Sequence, residues 1–202
     1  MTEIDRTLPS ARRVLDFWIN EIGEEGWYAG TPAIDAATRD NFLDAWIAAE
    51  EGGLGLWLTD AEGILAFLIL TDQFPRNMFR GSGQSFATDD LALAAAKEAV
   101  ARNVDLEIER PARQFFYLPY EHSEDLVDQD TCIALFEERM PDPEKILHAK
   151  AHRAIIARYG RFPHRNKALA RMSTEEEALW LANGGYPATV EALRAGDAPY
   201  LP

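Results

Sequence analysis

The sequence of 202 residues has one cysteine, Cys132, so no internal disulfide can staple the chain. A domain of this size without a bridge, a signal peptide or an apolar leader is expected in a reducing cytoplasm. Long apolar runs are also lacking. The longest, Ile64 to Leu70, falls far short of the roughly 18 residues at which a membrane span is suspected, so a buried helix is expected there and no membrane. A phosphate-cradling glycine loop is missing as well, because Arg80-Gly81-Ser82-Gly83 has neither the lysine nor the spacing of a P-loop. From Lys145 through Met172 there is no Asp or Glu at all.

That last absence sits inside an acidic protein of net charge −14. The acid-free segment carries eight cations, which leaves twelve cations against 34 acids elsewhere. An overall negative charge argues against nucleic acid as a partner, since such binding draws on cationic contacts with phosphate. The cationic segment has two readings: neutralisation of acidic neighbours across helix contacts, or an anion-binding face.

Hydrophobic composition of 47% supports one well-buried core, and a single domain over residues 1–202 is expected, with its core at about 10–187 and a tail at 188–202. Helical spacing recurs throughout. Ser10 is placed to cap a first helix through Val14, Leu15, Trp18 and Ile22, which Gly23 stops. A second helix from Asp35 carries Phe42, Trp46 and Ala49 to the Gly52-Gly53 break. Asp60 caps a third, apolar on all sides and therefore central. Further helices are expected from Asp89 to about Asn103, from Pro111, from Ser123, and after Pro141-Asp142-Pro143 to Gly160. Ser173 with Glu176 and Thr174 with Glu177 both fit a capping box ahead of Ala178, Leu179 and Leu181. A short final helix is placed at Thr189 to Ala195. Eight or nine helices with short connections and no convincing strand pair give an all-α fold of antiparallel neighbours.

Two elements share a design. Phe74-Pro75-Arg76-Asn77 and Phe162-Pro163-His164-Arg165-Asn166 each place an aromatic, a proline, one or two basic residues and an asparagine after a helix. The residue before proline is driven out of the α region while proline suits a helix start, so a sharp turn is expected at both. New helical turns there would aim backbone N–H groups and basic side chains at a carboxylate or phosphate. The competing reading has the aromatics plugging the core and the arginines paired with internal carboxylates such as Asp72 or Glu124.

Other chemistry is weaker. His122, Ser123 and Glu124 are adjacent, and neighbours on a helix do not face one another, so they form no triad by themselves. Glu144, His148 and His152 are four apart on one helix face but lack a diagnostic fourth ligand, so no metal and no cofactor is expected. Cys132 sits in an apolar helical pattern and is read as a small core residue.

Three stretches in order then carry a resemblance. Thr71-Asp72-Gln73-Phe74-Pro75-Arg76-Asn77 with Phe79-Arg80-Gly81, Tyr117-Leu118-Pro119 with His122-Ser123-Glu124, and Gly160-Arg161-Phe162-Pro163-His164-Arg165-Asn166 with Arg171, Ser173, Thr174, Glu176 and Glu177 resemble the bacterial domain-of-unknown-function family 924. Tyr159 and Ala170 stand where phenylalanine and glycine are expected. The second change matters if that glycine allows close backbone approach. The resemblance implies a tetratricopeptide-repeat-like array of antiparallel helices and no established activity.

The candidate ligand-binding set is Asp72, Gln73, Arg76, Asn77, Arg80, His122, Glu124, His152, Arg161, His164, Arg165, Asn166 and Arg171, with no catalytic residue assigned. One reading is a binding module whose cationic concave face receives an acidic peptide, an acidic protein or a small anion. Another is an enzyme on a small anionic metabolite, with Arg76, Arg161 and Arg165 holding the anion, His122 or His164 moving a proton, and Asp72 or Glu124 assisting. In a third the motifs only stabilise the fold. The oligomeric state is not legible.

Overall fold

A computed structural model describes residues 8–196, which fall into two compact units, residues 8–80 with 84–108 and residues 81–83 with 109–196. Regular structure among the described residues is entirely helical, with no strand and no helix long and apolar enough to cross a membrane.

In the first unit the Ser10 hydroxyl accepts from the Arg13 N–H and starts α1 (Ala11–Leu15). A π-helical turn, Asp16–Ile22, leads to α2 (Gly23–Trp27), with Gly23 at φ +67° where the sequence places a stop. α3 (Pro32–Glu50) begins three residues before the expected Asp35, because Thr31 caps the Ile34 N–H and Pro32 supplies the first helical φ. α4 (Ala61–Leu68) is capped by Asp60 and is buried on all sides from Gly63 onward, as its composition requires. Gly63 is obligatory by close approach: a Cβ there would lie 2.2 Å from the Trp57 carbonyl oxygen.

The expected sharp turn at Phe74-Pro75 does not occur. A second π turn, Ile69–Gln73, carries α4 straight into α5 (Phe74–Met78), and Phe74 keeps helical angles at φ −61°, ψ −37°. Pro75 has no N–H to give, and in this π stretch, where the Phe74 N–H bonds the Ile69 carbonyl five residues back, a side chain reaches the Thr71 carbonyl. The Thr88 hydroxyl takes that carbonyl at 2.6 Å, while accepting the Trp46 indole N–H at 3.0 Å. α6 (Asp89–Ala101) follows directly. The core is aromatic: Phe42 and Phe74 lie 4.8 Å apart, Phe17 and Phe42 5.0 Å, Trp18 and Phe74 5.3 Å.

In the second unit a 3-10 turn, Ala112–Phe116, precedes α7 (Leu118–Glu121). α8 (Leu126–Arg139) is capped by Asp125 rather than by Ser123, whose hydroxyl donates to Asp128. Asp142 and Pro143 open α9 (Pro143–Tyr159), and Gly160 at φ +65° ends it. Here the second proline element does turn sharply: Phe162 is extended and Pro163 begins a 3-10 turn through Arg165. Of the two expected capping boxes only Thr174 with Glu177 forms, ahead of α10 (Glu175–Ala182). α11 (Gly185–Ala195) starts four residues before the expected Thr189 and buries Thr189 and Val190. Counted with the π turns that join α1 to α2 and α4 to α5, the described residues form nine helices, within the expected eight or nine.

Candidate functional site

The candidate residues divide between the units. Asp72, Gln73, Arg76, Asn77 and Arg80 belong to the first, where the π turn brings Asp72 and Gln73 into the interior, 1% and 6% exposed. Arg76 forms a bidentate pair with Asp89 at 3.0 and 3.1 Å, lies 3.5 Å from the Asp72 carboxylate, and also donates to the Asp72 carbonyl. Burial opposes its charge, yet the two aspartates prevail and hold the guanidinium above its ordinary pKa. Arg80 pairs with Asp35 through two bonds of 2.8 Å, and Asn77 donates to the same carboxylate. The Arg80 bonds, outweighing desolvation and aided by Asn77, depress the Asp35 pKa.

In the second unit the arginines are likewise engaged. Arg171 grips Glu124 at 2.7 and 2.9 Å, donates to the Phe162 carbonyl, and reaches Asn166 Oδ1. Glu124 also accepts the Phe162 N–H at 2.8 Å, so the exit from α9 is locked by one carboxylate. Against its burial, Arg171 and that N–H lower the Glu124 pKa. Arg161 grips Glu177 at 2.6 and 2.8 Å. Glu177 further accepts from the Thr174 N–H and from Asn166, and these donors, Arg161 first, hold its pKa down to about 2 despite burial. Paired arginines of this kind are internal ties. Asp72 and Glu124, the carboxylates expected as internal partners, are among those that hold them.

A different arrangement surrounds His152. All four histidines of the chain belong to one neighbourhood of the second unit. His122 faces His152 with ring centres 6.3 Å apart, Phe162 and Tyr186 lie 5.5 and 4.7 Å from His152, His164 packs 5.5 Å from Phe162, and the Arg165 guanidinium sits 4.5 Å above the Phe162 ring. His148, one turn before His152, meets the Tyr186 hydroxyl at 2.5 Å.

The protonation of His152 follows from its partners. Nδ1 lies 3.0 Å from the His148 carbonyl oxygen and 3.0 Å from Glu121 Oε1. A carbonyl oxygen only accepts, so Nδ1 carries the proton and the lone pair of the neutral ring is on Nε2. Burial above all, with His122 and then His164 and Arg165 adding to it against the His148 bond, pushes the His152 pKa well below 6.5. His152 is thus a neutral imidazole in a field of positive sign, oriented by a carboxylate.

Metal binding at Glu144, His148 and His152 has no geometric support: His148 turns to Tyr186 and Glu144, and His152 to Glu121. Among the described residues no group of three His, Cys, Asp or Glu is placed to hold an ion. Cys132 is buried, its thiol pushed up by desolvation and by Glu121, and it contacts the Tyr117 carbonyl at 3.5 Å. Two residues at the His152 site escaped sequence reasoning. Glu121 lies one position before the motif His122, and the sole hint of Tyr186 was its place after a glycine pair.

The fold has a counterpart among solved structures. A protein of unknown function from Agrobacterium tumefaciens is 41% identical, with a TM-score of 0.82 over 86% of this chain and 97% of its own. No curated protein matches. A family model described as a bacterial protein of unknown function, DUF924, matches residues 14–185 and so spans all three motifs, and the chain belongs to that family.

Proposed function

We propose that the second unit binds a small anion, a carboxylate or phosphate group, at His122, His152, His164 and Arg165. The observation that carries the reading is the gathering of His122, His164 and Arg165 about His152 and Phe162, which with burial as the larger cause gives a field that opposes protonation of an imidazole turned to Glu121. An anion near Nε2 offsets that field, so His152 takes up a proton as the anion binds. The motif arginines Arg76, Arg80, Arg161 and Arg171 serve the fold instead, each engaged by an internal carboxylate. We assign this activity to the cytoplasm, where a single buried thiol stays reduced.

Calorimetric titration with inorganic phosphate and with acetate tests the reading. Binding should strengthen from pH 8 to pH 6 with net proton uptake, and His122→Ala and His164→Ala should each weaken it by roughly tenfold, the equivalent of one charge-assisted hydrogen bond. Equal affinity in wild type and both variants, or no heat with either anion, would overturn it.

A second reading rests on the His152 tautomer. In this alternative His152 stays neutral when a substrate binds: with Nδ1 turned to Glu121 and the His148 carbonyl the lone pair is on Nε2, as in a general base, and the site then fits proton transfer on a small anionic substrate.

A further inference from the structure

The segment from Glu121 to Glu124 sends four consecutive residues to work: Glu121 to His152, His122 toward the same ring, Ser123 to Asp128, and Glu124 to Arg171 and the Phe162 N–H. It is a short turn between α7 and α8. The His122 and Ser123 N–H groups reach back to the Leu118 and Tyr120 carbonyls, but the last carbonyls of a helix have no intrahelical donors and need partners from elsewhere.

Side chains supply those partners. Gln129, in the first turn of α8 and fully buried, donates from Nε2 to the Glu121 and Ser123 carbonyls at 2.7 Å each, with the Tyr120 carbonyl at 3.4 Å. Arg165 donates to the carbonyl between them, that of His122, at 3.0 Å. Three consecutive carbonyls are therefore held from the side. The other end of the Gln129 amide is different: Oε1 is buried without a hydrogen-bond partner. The amide is thus committed through its N–H groups, all of them turned to the carbonyls of this one turn.

We propose that Gln129 is a positioning residue for His152. By clamping the carbonyls on both sides of His122, it sets the rotation of the turn that aims the Glu121 carboxylate at His152 Nδ1, where that charge adds to the His148 carbonyl in favouring the Nδ1–H form. The groups that face His152 are Glu121 and His122 from the end of α7, His148 on its own helix, Tyr186 at the start of α11, and His164 and Arg165 from the 3-10 turn. Of these, Gln129 holds only the segment carrying the first two.

The proposal rests on the anion-site reading only through His152, and its test uses no ligand. Nitrogen-15 NMR of the histidine side chains, assigned by single His→Gln variants, reports each tautomer and titration midpoint in the full-length protein. In wild type His152 is expected as the Nδ1–H form with a midpoint below 6.5. In Gln129→Met the Nδ1–H to Nε2–H ratio should fall by roughly tenfold, the worth of one bond to a charged acceptor. Its midpoint should shift as well, while His148, tied to Tyr186, should be unmoved. An unchanged His152 tautomer and midpoint in folded Gln129→Met overturns the proposal. If that variant does not fold, Gln129→Glu, nearly isosteric but lacking the two amide donors, is read by the same two outcomes. Failure of phosphate to bind while the tautomer still responds would reject the anion reading and leave the positioning role standing.

Discussion

Ala170 holds φ at +52°, where an L side chain crowds the following carbonyl and glycine does not. Glycine is the residue expected here from the family resemblance, and the backbone gives a physical reason for one: the position has a left-handed conformation. Ala170→Gly should stabilise the protein. Relief of roughly 1–2 kcal/mol is partly offset by the roughly 0.5–1 kcal/mol that glycine loses in chain entropy. A higher urea midpoint with an unchanged slope checks it. Thr174 makes the opposite case. Its hydroxyl accepts from the Glu177 N–H at 3.2 Å and caps α10, so Thr174→Ala should cost about 1 kcal/mol, read in the same titration.

At the scale of elements, the π turn Ile69–Gln73 explains how proline can sit inside a continuous helix. The Thr71 carbonyl, in that π turn, accepts from the Thr88 hydroxyl, which in turn accepts the Trp46 indole N–H. Thr88→Val keeps the shape and removes the hydroxyl, stranding a buried indole N–H and a buried carbonyl at about 1–3 kcal/mol. Thr88→Ser should retain most of the stability. Urea unfolding followed by tryptophan fluorescence separates the two, and equal losses in Val and Ser would refute the relay. The same π turn accounts for a failure of sequence reasoning. A residue before proline is ordinarily excluded from the α region by its neighbours. Phe74 is held there by a packed aromatic core, with Phe42 at 4.8 Å and Trp18 at 5.3 Å, and local preference yields to burial.

Over the whole molecule, the ionisable groups give stability a two-step dependence on acid. His152 is depressed below 6.5 and His148 is lowered too, each chiefly by burial, so the unfolded chain binds these protons first and stability declines as pH falls below about 6.5. Asp35, Glu124 and Glu177 are depressed by their arginines. Their contribution is complete above the ordinary carboxylate range and is lost as pH falls below 4.5 toward the value of about 2 held by Glu177. Urea midpoints measured from pH 8 to pH 2 should show both declines. His152→Gln should flatten the upper one and leave the lower one intact.

Helices, caps and stops were legible because they are local. Ser10, Asp60, Asp142 and Thr174 cap where their side chains reach the next turn, and Gly160 ends α9 with a left-handed φ of +65°. The apolar run at Ile64 to Leu70 had to be buried whatever surrounded it. Charge counting showed that the segment from Lys145 to Met172 is cationic, but charge alone does not say whether an arginine faces solvent or a carboxylate. Tertiary structure decided that, because the partners lie far off in sequence: Arg171 with Glu124, Arg80 with Asp35, Arg76 with Asp89. It also set the surroundings of His152. Glu121, Gln129 and Tyr186 carry no motif of their own, and they matter only because packing brings them to one imidazole or to the turn beside it.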